Sequence, residues 1–474
     1  MAVHYLLGRQ RMALLLACTT ILLLLTWHHH SARRNSASFS SPLPPPPPGT
    51  VQLSAQDAPT PHIDLSNARA PFIAWPLQRV CAETTWVPGL VFICDNNSGG
   101  PGNIRNYMLT CIRYGISAGA TSLLLPRIRA RAPDDPASLF AKYQAFGYMF
   151  DAAHFRGALG AACPRMRVYD ALQDVPGVSA KARREGRPVD GIIERVVPKK
   201  FGSRAGCDPR DQNRHTDRFG AAFRAWVERV PKELGVAPAS AENPKLVRLS
   251  WGVLWDWEVY RDGPEFAATF GGLLRIREDI LDLADVVVAE MRKLAAAAAS
   301  TKGPGSGSAS GPFLGIHLRT EKDALKQWPS YENQSTGYLL EAEKQGYRGG
   351  MAYLASGSET ESQKFGNQAM ARLQLDVKTK YDLLEGRNLR ELKAMSWDQQ
   401  ALVDFIVLLN ADYFVGVSPS SFSINVALKR HLQKEGLYTR PWKVGGPGDG
   451  RSWLVGRYER YWDDWLFMFD GMWP

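Results

Sequence analysis

The chain has 474 residues, 45% hydrophobic and 22% charged, which allows a large buried core and two or three domains. With 57 Lys and Arg against 47 Asp and Glu, the net charge is +10, suited to an anionic ligand or to anionic lipids. No concentrated Lys/Arg run is interleaved with aromatics, which argues against a nucleic-acid partner.

Arg9 and Arg11 precede an apolar run from Met12 to Trp27, followed by His28 to His30, Arg33 and Arg34. The run is short for a spanning helix and long for a cleaved signal, and no small-x-small cleavage pattern stands out. It predicts a single-pass signal anchor over 1–30, holding a lumenal domain in the endoplasmic reticulum or Golgi; a cleaved signal peptide is the alternative. Residues 31–80 read as a Pro/Ser-rich stem with an unbroken run from Pro44 to Pro48, and folded structure is expected from Cys81. Apart from Cys18 in the apolar run, five cysteines remain: Cys81, Cys94, Cys111, Cys163 and Cys207. On a secretory route these predict two disulfides and one free thiol, with the pairing open and no zinc-type spacing.

Leu90 to Cys94 is a short apolar strand that runs into Asp95-Asn96-Asn97-Ser98-Gly99-Gly100-Pro101-Gly102-Asn103. A helix from Ile104 to Ala118 and a strand from Ser122 to Leu125 complete a βαβ unit, which implies parallel pairing. Patterns weaken from Arg127 to Asn243, where Phe219 to Val230 is the best helix. Leu246 to Ser250 is a strand leading into Trp251, Trp255, Trp257 and Tyr260. A long helix spans Ile276 to Ala299, and the Gly/Ser-rich 303–311 separates two halves.

The second half repeats the rhythm. Strands are expected at Phe313 to Leu318, Met351 to Ala355 and Tyr413 to Val417. Helices are expected at Tyr338 to Gln345, Ser362 to Leu373, Trp397 to Asn410 with Ser396 as N-cap, and Phe422 to Lys434. The fold class is therefore α/β, with an N-terminal half over 81–300 and a C-terminal half over 312–450 facing a ligand cleft. An aromatic tail, 451–474, is placed to pack back across the two.

Three stretches carry the chemistry. Gly99, Gly100, Gly102 and Asn103 lie between a strand and a helix N-terminus, where backbone amides favour a phosphate. Phe313 to Ile316 ends in His317, Arg319 and Glu321, placed by two-residue alternation on one face of an extended chain. A guanidinium at a strand's carboxyl end is a diphosphate clamp, or else simply an ion pair with Glu321. Ser420, Ser421 and Phe422 form a second strand-to-helix turn, fit for another phosphate or for capping. Asp404 is a carboxylate on an apolar helical face; it needs donors, which a guanine edge, an arginine or backbone amides could provide. A dinucleotide fingerprint is rejected, because the glycine spacing is wrong and no acidic residue closes the second strand.

Taken together, these segments resemble the GDP-fucose protein O-fucosyltransferase family, especially its plant-type branch. Gly315-Ile316-His317-Leu318-Arg319-Thr320-Glu321-Lys322-Asp323 is similar to its His-Leu-Arg-x-Glu signature, and Gly99 to Asn103 to its glycine-rich motif. Tyr353 to Gly357, Asp398 to Asp404, Ala411 to Gly416 and Ser420 to Ser423 follow in the family's order. The resemblance implies a GT-B-like fold of two Rossmann-like domains and an inverting, metal-free transfer, with GDP-fucose as substrate and no cofactor. It implies Arg319 as the catalytic cation on the β-phosphate, with His317 supporting the donor pocket. Gly99, Gly100, Gly102 and Asn103 would line the diphosphate and fucose; Ser420, Ser421 and Phe422 would meet phosphate and guanine, with Asp404 or Asp412 near the base. Some members carry a Glu as base in the glycine motif, where this chain has Asn97 and Ser98; Asp95 and Glu321 are the nearby carboxylates. The partners implied are a nucleotide-sugar donor, a protein or glycan acceptor, and a membrane. Another nucleotide sugar, or a non-catalytic binding protein of the same fold, are the competing readings.

Overall fold

The computed structural model describes residues 63–474 except 133–134, 136–137, 139–140, 202–215, 301–310, 322–323, 325–326, 434–443 and 447–448. The apolar N-terminal run, the stem up to residue 62, Cys207, Lys322, Asp323 and the Gly/Ser-rich 303–310 lie outside the described residues. Among those described, no helix is long and apolar enough to cross a membrane.

Ordered structure starts earlier than composition predicted. A helix over Trp75–Ala82, opened by Pro76 at its first turn, buries Leu77 and Val80, and Cys81 is disulfide-bonded to Cys163. Two apolar residues one turn apart are enough to dock it.

The N-terminal half contains β1 (Val87–Ile93), β2 (Ala120–Leu124), a small antiparallel hairpin of β3 (Ile128–Arg129) and β4 (Tyr143–Gln144), β5 (Arg167–Tyr169), β6 (Glu194–Val196) and β7 (Lys245–Leu249). Its sheet is parallel throughout, in the order β5-β2-β1-β7-β6. The C-terminal half contains β8 (Phe313–Leu318), β9 (Met351–Ser356), β10 (Asp376–Lys378), β11 (Tyr413–Val417) and β12 (Ser452–Val455), parallel in the order β10-β9-β8-β11-β12. Phe92 pairs with Leu123 on one side and Val247 on the other; Ile316 pairs with Leu354 and Val415. β8 and β11 are buried along their whole length, as strands covered on both faces should be. The short β5 and β6 fall in the region of weak patterns, and β12 in the segment read as tail. Three or four residues at a sheet margin leave too little periodicity to detect.

In both sheets the strand order reverses beside the first strand, at β1/β7 and at β8/β11. Ligands of open α/β sheets bind outside the carboxyl ends of strands at such switch points. The helix after β1, Pro101–Ala118, is tied to that strand by the Cys94–Cys111 disulfide. It ends at Gly119, whose φ of 84° and 2.1 Å approach to the Thr85 carbonyl oxygen, measured from where a Cβ would sit, leave no room for a side chain. Beyond β12 the tail crosses back to the N-terminal half. Trp473 is fully buried against Phe266 and Phe270, donates to Thr110, and is held through its backbone by Asn106 and Asn425. The aromatic tail thus joins the two halves into one core.

Candidate active site

The four strands that flank the two switch points each end at one cavity of about 1260 Å3. β1 delivers Gly99, Gly100, Gly102 and Asn103; β7 delivers Trp251 and Trp255; β8 delivers His317, Arg319 and Glu321; β11 delivers Ser420, Ser421 and Phe422. Helices begin directly after two of these turns, at Pro101 and at Ser421. Gly100 and Ser420 occupy their N-cap positions, and neither makes a side-chain capping bond. The first-turn N–H groups of both helices are thus left uncapped by these side chains, and both positive dipole ends border the same space. The two turns touch: a Cβ on Gly102 would lie 3.0 Å from the Ser421 carbonyl oxygen. Only glycine lets the helix starts approach this closely.

The β8 end is held from several sides. Gln334, fully buried, accepts from the Arg319 N–H at 2.9 Å and donates to the Arg319 and Pro329 carbonyls, both at 2.8 Å. The Tyr338 hydroxyl donates to the His317 carbonyl at 2.8 Å. The largely buried Arg319 guanidinium pairs with Glu321, which also accepts from the Thr320 and Gly357 N–H groups at 3.1 and 3.2 Å. A Cβ on Gly357 would come within 2.5 Å of the Glu321 carboxylate, so this contact requires glycine. Glu321 is therefore the group that aims Arg319.

His317 packs its ring 4.5 Å from that of Phe422, and its Nδ1 lies 2.6 Å from the Ser423 hydroxyl. Ser423 also accepts from the Val417 N–H at 3.1 Å, so one hydroxyl holds both the end of β11 and the His317 ring. Burial pushes the imidazole pKa down to about 4, more than Glu321 raises it, so the ring is neutral at physiological pH.

Asp404 lines the cavity, but its two oxygens already accept from the Tyr353 hydroxyl and the Lys380 ammonium, both at 2.6 Å. Its donors come from the protein itself, which removes the reason for assigning it a guanine edge. Asp412 is at the wrong end of the sheet. It precedes β11, pairs with Arg292 and accepts from the Phe313 N–H at 2.8 Å. Asp95 is buried beneath the glycine turn, where Arg248 and Arg127 hold it at 2.8 and 3.1 Å, and it does not line the cavity. Asn97 bonds the Arg127 carbonyl and the Arg129 N–H, so it braces the hairpin. Neither Asp95 nor Asn97 is placed to act as a base.

The structure therefore brings all ten predicted donor-site residues, Gly99, Gly100, Gly102, Asn103, His317, Arg319, Asp404, Ser420, Ser421 and Phe422, to one cavity. It adds residues that sequence reasoning missed. Arg131 follows β3, packs 4.7 Å from the Trp397 ring, and donates its N–H to Asp398 of the other half at 2.9 Å. Its guanidinium approaches within 3.6 Å of where a Cβ on Gly100 would sit. Trp328, Trp465 and Met468 also line the space. Nothing local marks these residues: each arrives from a hairpin, a loop or the tail. The Oδ1 of Asn103 and the indole N–H groups of Trp255 and Trp328 are buried without hydrogen-bond partners among the described residues.

The family profile described as GDP-fucose protein O-fucosyltransferase matches residues 90–433. No curated protein sequence matches the chain. Among solved structures, POFUT1 in complex with GDP is 15% identical, covering 73% of this chain and 97% of its own, with a TM-score of 0.41. Fucosyltransferase NodZ from Bradyrhizobium is 12% identical, covering 72% and 92%, with a TM-score of 0.37. A FUT1 mutant from Arabidopsis thaliana in complex with GDP is 10% identical, covering 75% and 71%, with a TM-score of 0.32.

Proposed function

Because this chain belongs to the GDP-fucose protein O-fucosyltransferase family and is a glycosyltransferase, we propose that it transfers fucose from GDP-fucose to a hydroxyl of a protein or glycan. The reading includes a GT-B-like arrangement of two Rossmann-like halves, inversion at the anomeric carbon and independence from metal.

One observation carries it: two uncapped helix N-termini, one from each half, meet at the cavity that the largely buried Arg319 also lines. That is a site for a diphosphate. Arg319 and the backbone N–H groups supply the positive charge that stabilises a departing diphosphate, without reorganisation at the moment of reaction. The acceptor oxygen bonds to the fucose anomeric carbon as the bond to the β-phosphate oxygen breaks, and its electron pair leaves with GDP. The acceptor's proton leaves to water on the face opposite the departing GDP; Glu321, occupied by Arg319, and Asp95, outside the cavity, do not take it. The neutral His317 ring supports the donor pocket, and Asn103 offers an acceptor to a sugar hydroxyl. The two disulfides and the apolar N-terminal run support a lumenal domain anchored in the endoplasmic reticulum or Golgi membrane.

Thermal unfolding with GDP, and separately with GDP-fucose, tests the donor site; at about 100 times Kd either should stabilise the protein by about 2.7 kcal/mol. EDTA should change neither this shift nor GDP release from GDP-fucose. R319A should lower kcat by about 100- to 1,000-fold. Full transfer by R319A, or no stabilisation by any GDP-sugar, sinks the reading.

A further inference from the structure

The cavity, at about 1260 Å3, exceeds the roughly 300–1,000 Å3 that small-molecule sites occupy, which leaves room for a second substrate. Part of its wall is uncharged, formed by Trp251 and Trp255 after β7 and by Trp465 and Met468 from the tail. The Trp255 and Trp465 rings meet edge to face at 6.3 Å. Trp251 keeps 38% of its surface exposed. Trp465 has a φ of 61°, in the left-handed region that a bulky side chain rarely enters. Trp255 is 6% exposed, and its indole N–H is the unpaired donor noted above. A buried donor of this kind is unfavourable until something accepts from it.

We infer that this wall is the acceptor subsite and that it takes a pyranose ring, so that the acceptor is a glycan. The inference rests on the fucosyl-transfer reading and names its substrate class. A pyranose presents an apolar C–H face to stack on an indole and hydroxyls at its rim to accept from the Trp255 N–H. An extended peptide needs a row of backbone donors and acceptors; three indoles and a thioether do not form one. The nucleophile is a hydroxyl of the bound ring: its oxygen bonds to the fucose anomeric carbon, GDP leaves with the electron pair of the broken bond, and the hydroxyl proton leaves to water.

The purified full-length protein is supplied with GDP-fucose and three sets of acceptors: methyl glycosides and disaccharides of common hexoses and N-acetylhexosamines, the same sugars O-linked to a peptide, and the bare peptide. Transfer to a glycoside, free or peptide-linked, is the expected result, and the first two sets separate a free glycan from one carried on protein. W255F, which keeps an aromatic ring and removes the donor, should raise the KM for that sugar at least tenfold while GDP still raises the thermal midpoint. W251A, at an exposed position that does not threaten folding, should raise the same KM. Transfer confined to the bare peptide, or an acceptor KM unchanged in both variants, overturns the inference. Failure of GDP to stabilise the unsubstituted protein would instead strike the donor reading.

Discussion

The two walls of the cavity differ in how their polar groups are satisfied. On the C-terminal side Arg319 has Glu321, Asp404 has Lys380 and Tyr353, and His317 has Ser423; the Trp328 N–H is the exception. On the N-terminal side the Asn103 Oδ1 and the Trp255 N–H are buried without partners among the described residues. The first wall is assembled before any ligand arrives. The second holds groups that a ligand has to complete. A site preorganised on one side, with groups left open to a ligand on the other, suits a two-substrate transferase.

The largest effect should come from breaking the assembled wall. Lys380 and Asp404 are both nearly buried, so K380M strands a carboxylate and should cost about 3–5 kcal/mol in urea unfolding. Adding D404L should recover most of that loss, since a buried pair replaced by apolar groups is close to neutral. A double variant as unstable as the single one would mean that the pair does more than satisfy its own charges.

His317 gives the next effect. Its folded pKa of about 4 lies below the ordinary 6.5, so between these values the unfolded chain binds a proton that the folded chain refuses. Its contribution to stability is complete above about pH 6.5 and is lost as pH falls toward 4. From pH 7 to 4.5 this amounts to about 2 kcal/mol. H317Q should flatten the fall by that much when urea midpoints at the two pH values are compared, and an equal fall in both proteins would show that the imidazole is solvated.

Asn103 should show the smallest effect and the sharpest contrast. Because its Oδ1 has no partner among the described residues, N103A should leave the stability of the free protein within about 0.5 kcal/mol. It should nevertheless lower transfer about tenfold, or about 1.4 kcal/mol, when initial rates are measured at subsaturating donor. A clear loss of stability would show that Asn103 belongs to the fold, and would remove the contrast between the walls.

Much of this was legible in the chain. β8, with Phe313 to Leu318 apolar or flanking a single histidine, was readable to the residue, as were the start of the Trp397 helix and its Ser396 cap. Both are local signals: a continuous buried run, and a hydroxyl three residues ahead of a glutamine. The helix at Trp75 and the edge strands β5, β6 and β12 were not readable, because each is short and depends on what it docks against. Asp404 shows the limit most clearly. A lone carboxylate on an apolar helix announces that it needs donors, but Lys380 lies 24 positions away and Tyr353 lies 51 away, and no spacing rule connects them.

Read by itself, the sequence determined the residue types that chemistry requires and their placement at strand ends: the glycines before Asn103, the alternation that sets Arg319 beside Glu321, and the serines after β11. Those properties follow from backbone geometry and side-chain chemistry within a few residues. Only the tertiary structure decided that the glycine and serine turns touch, that Glu321 aims Arg319, and that Trp465 returns from the tail to the same cavity as Trp255. These are contacts between segments tens to hundreds of residues apart, and long-range packing around two switch points, which no local pattern encodes, brings them together.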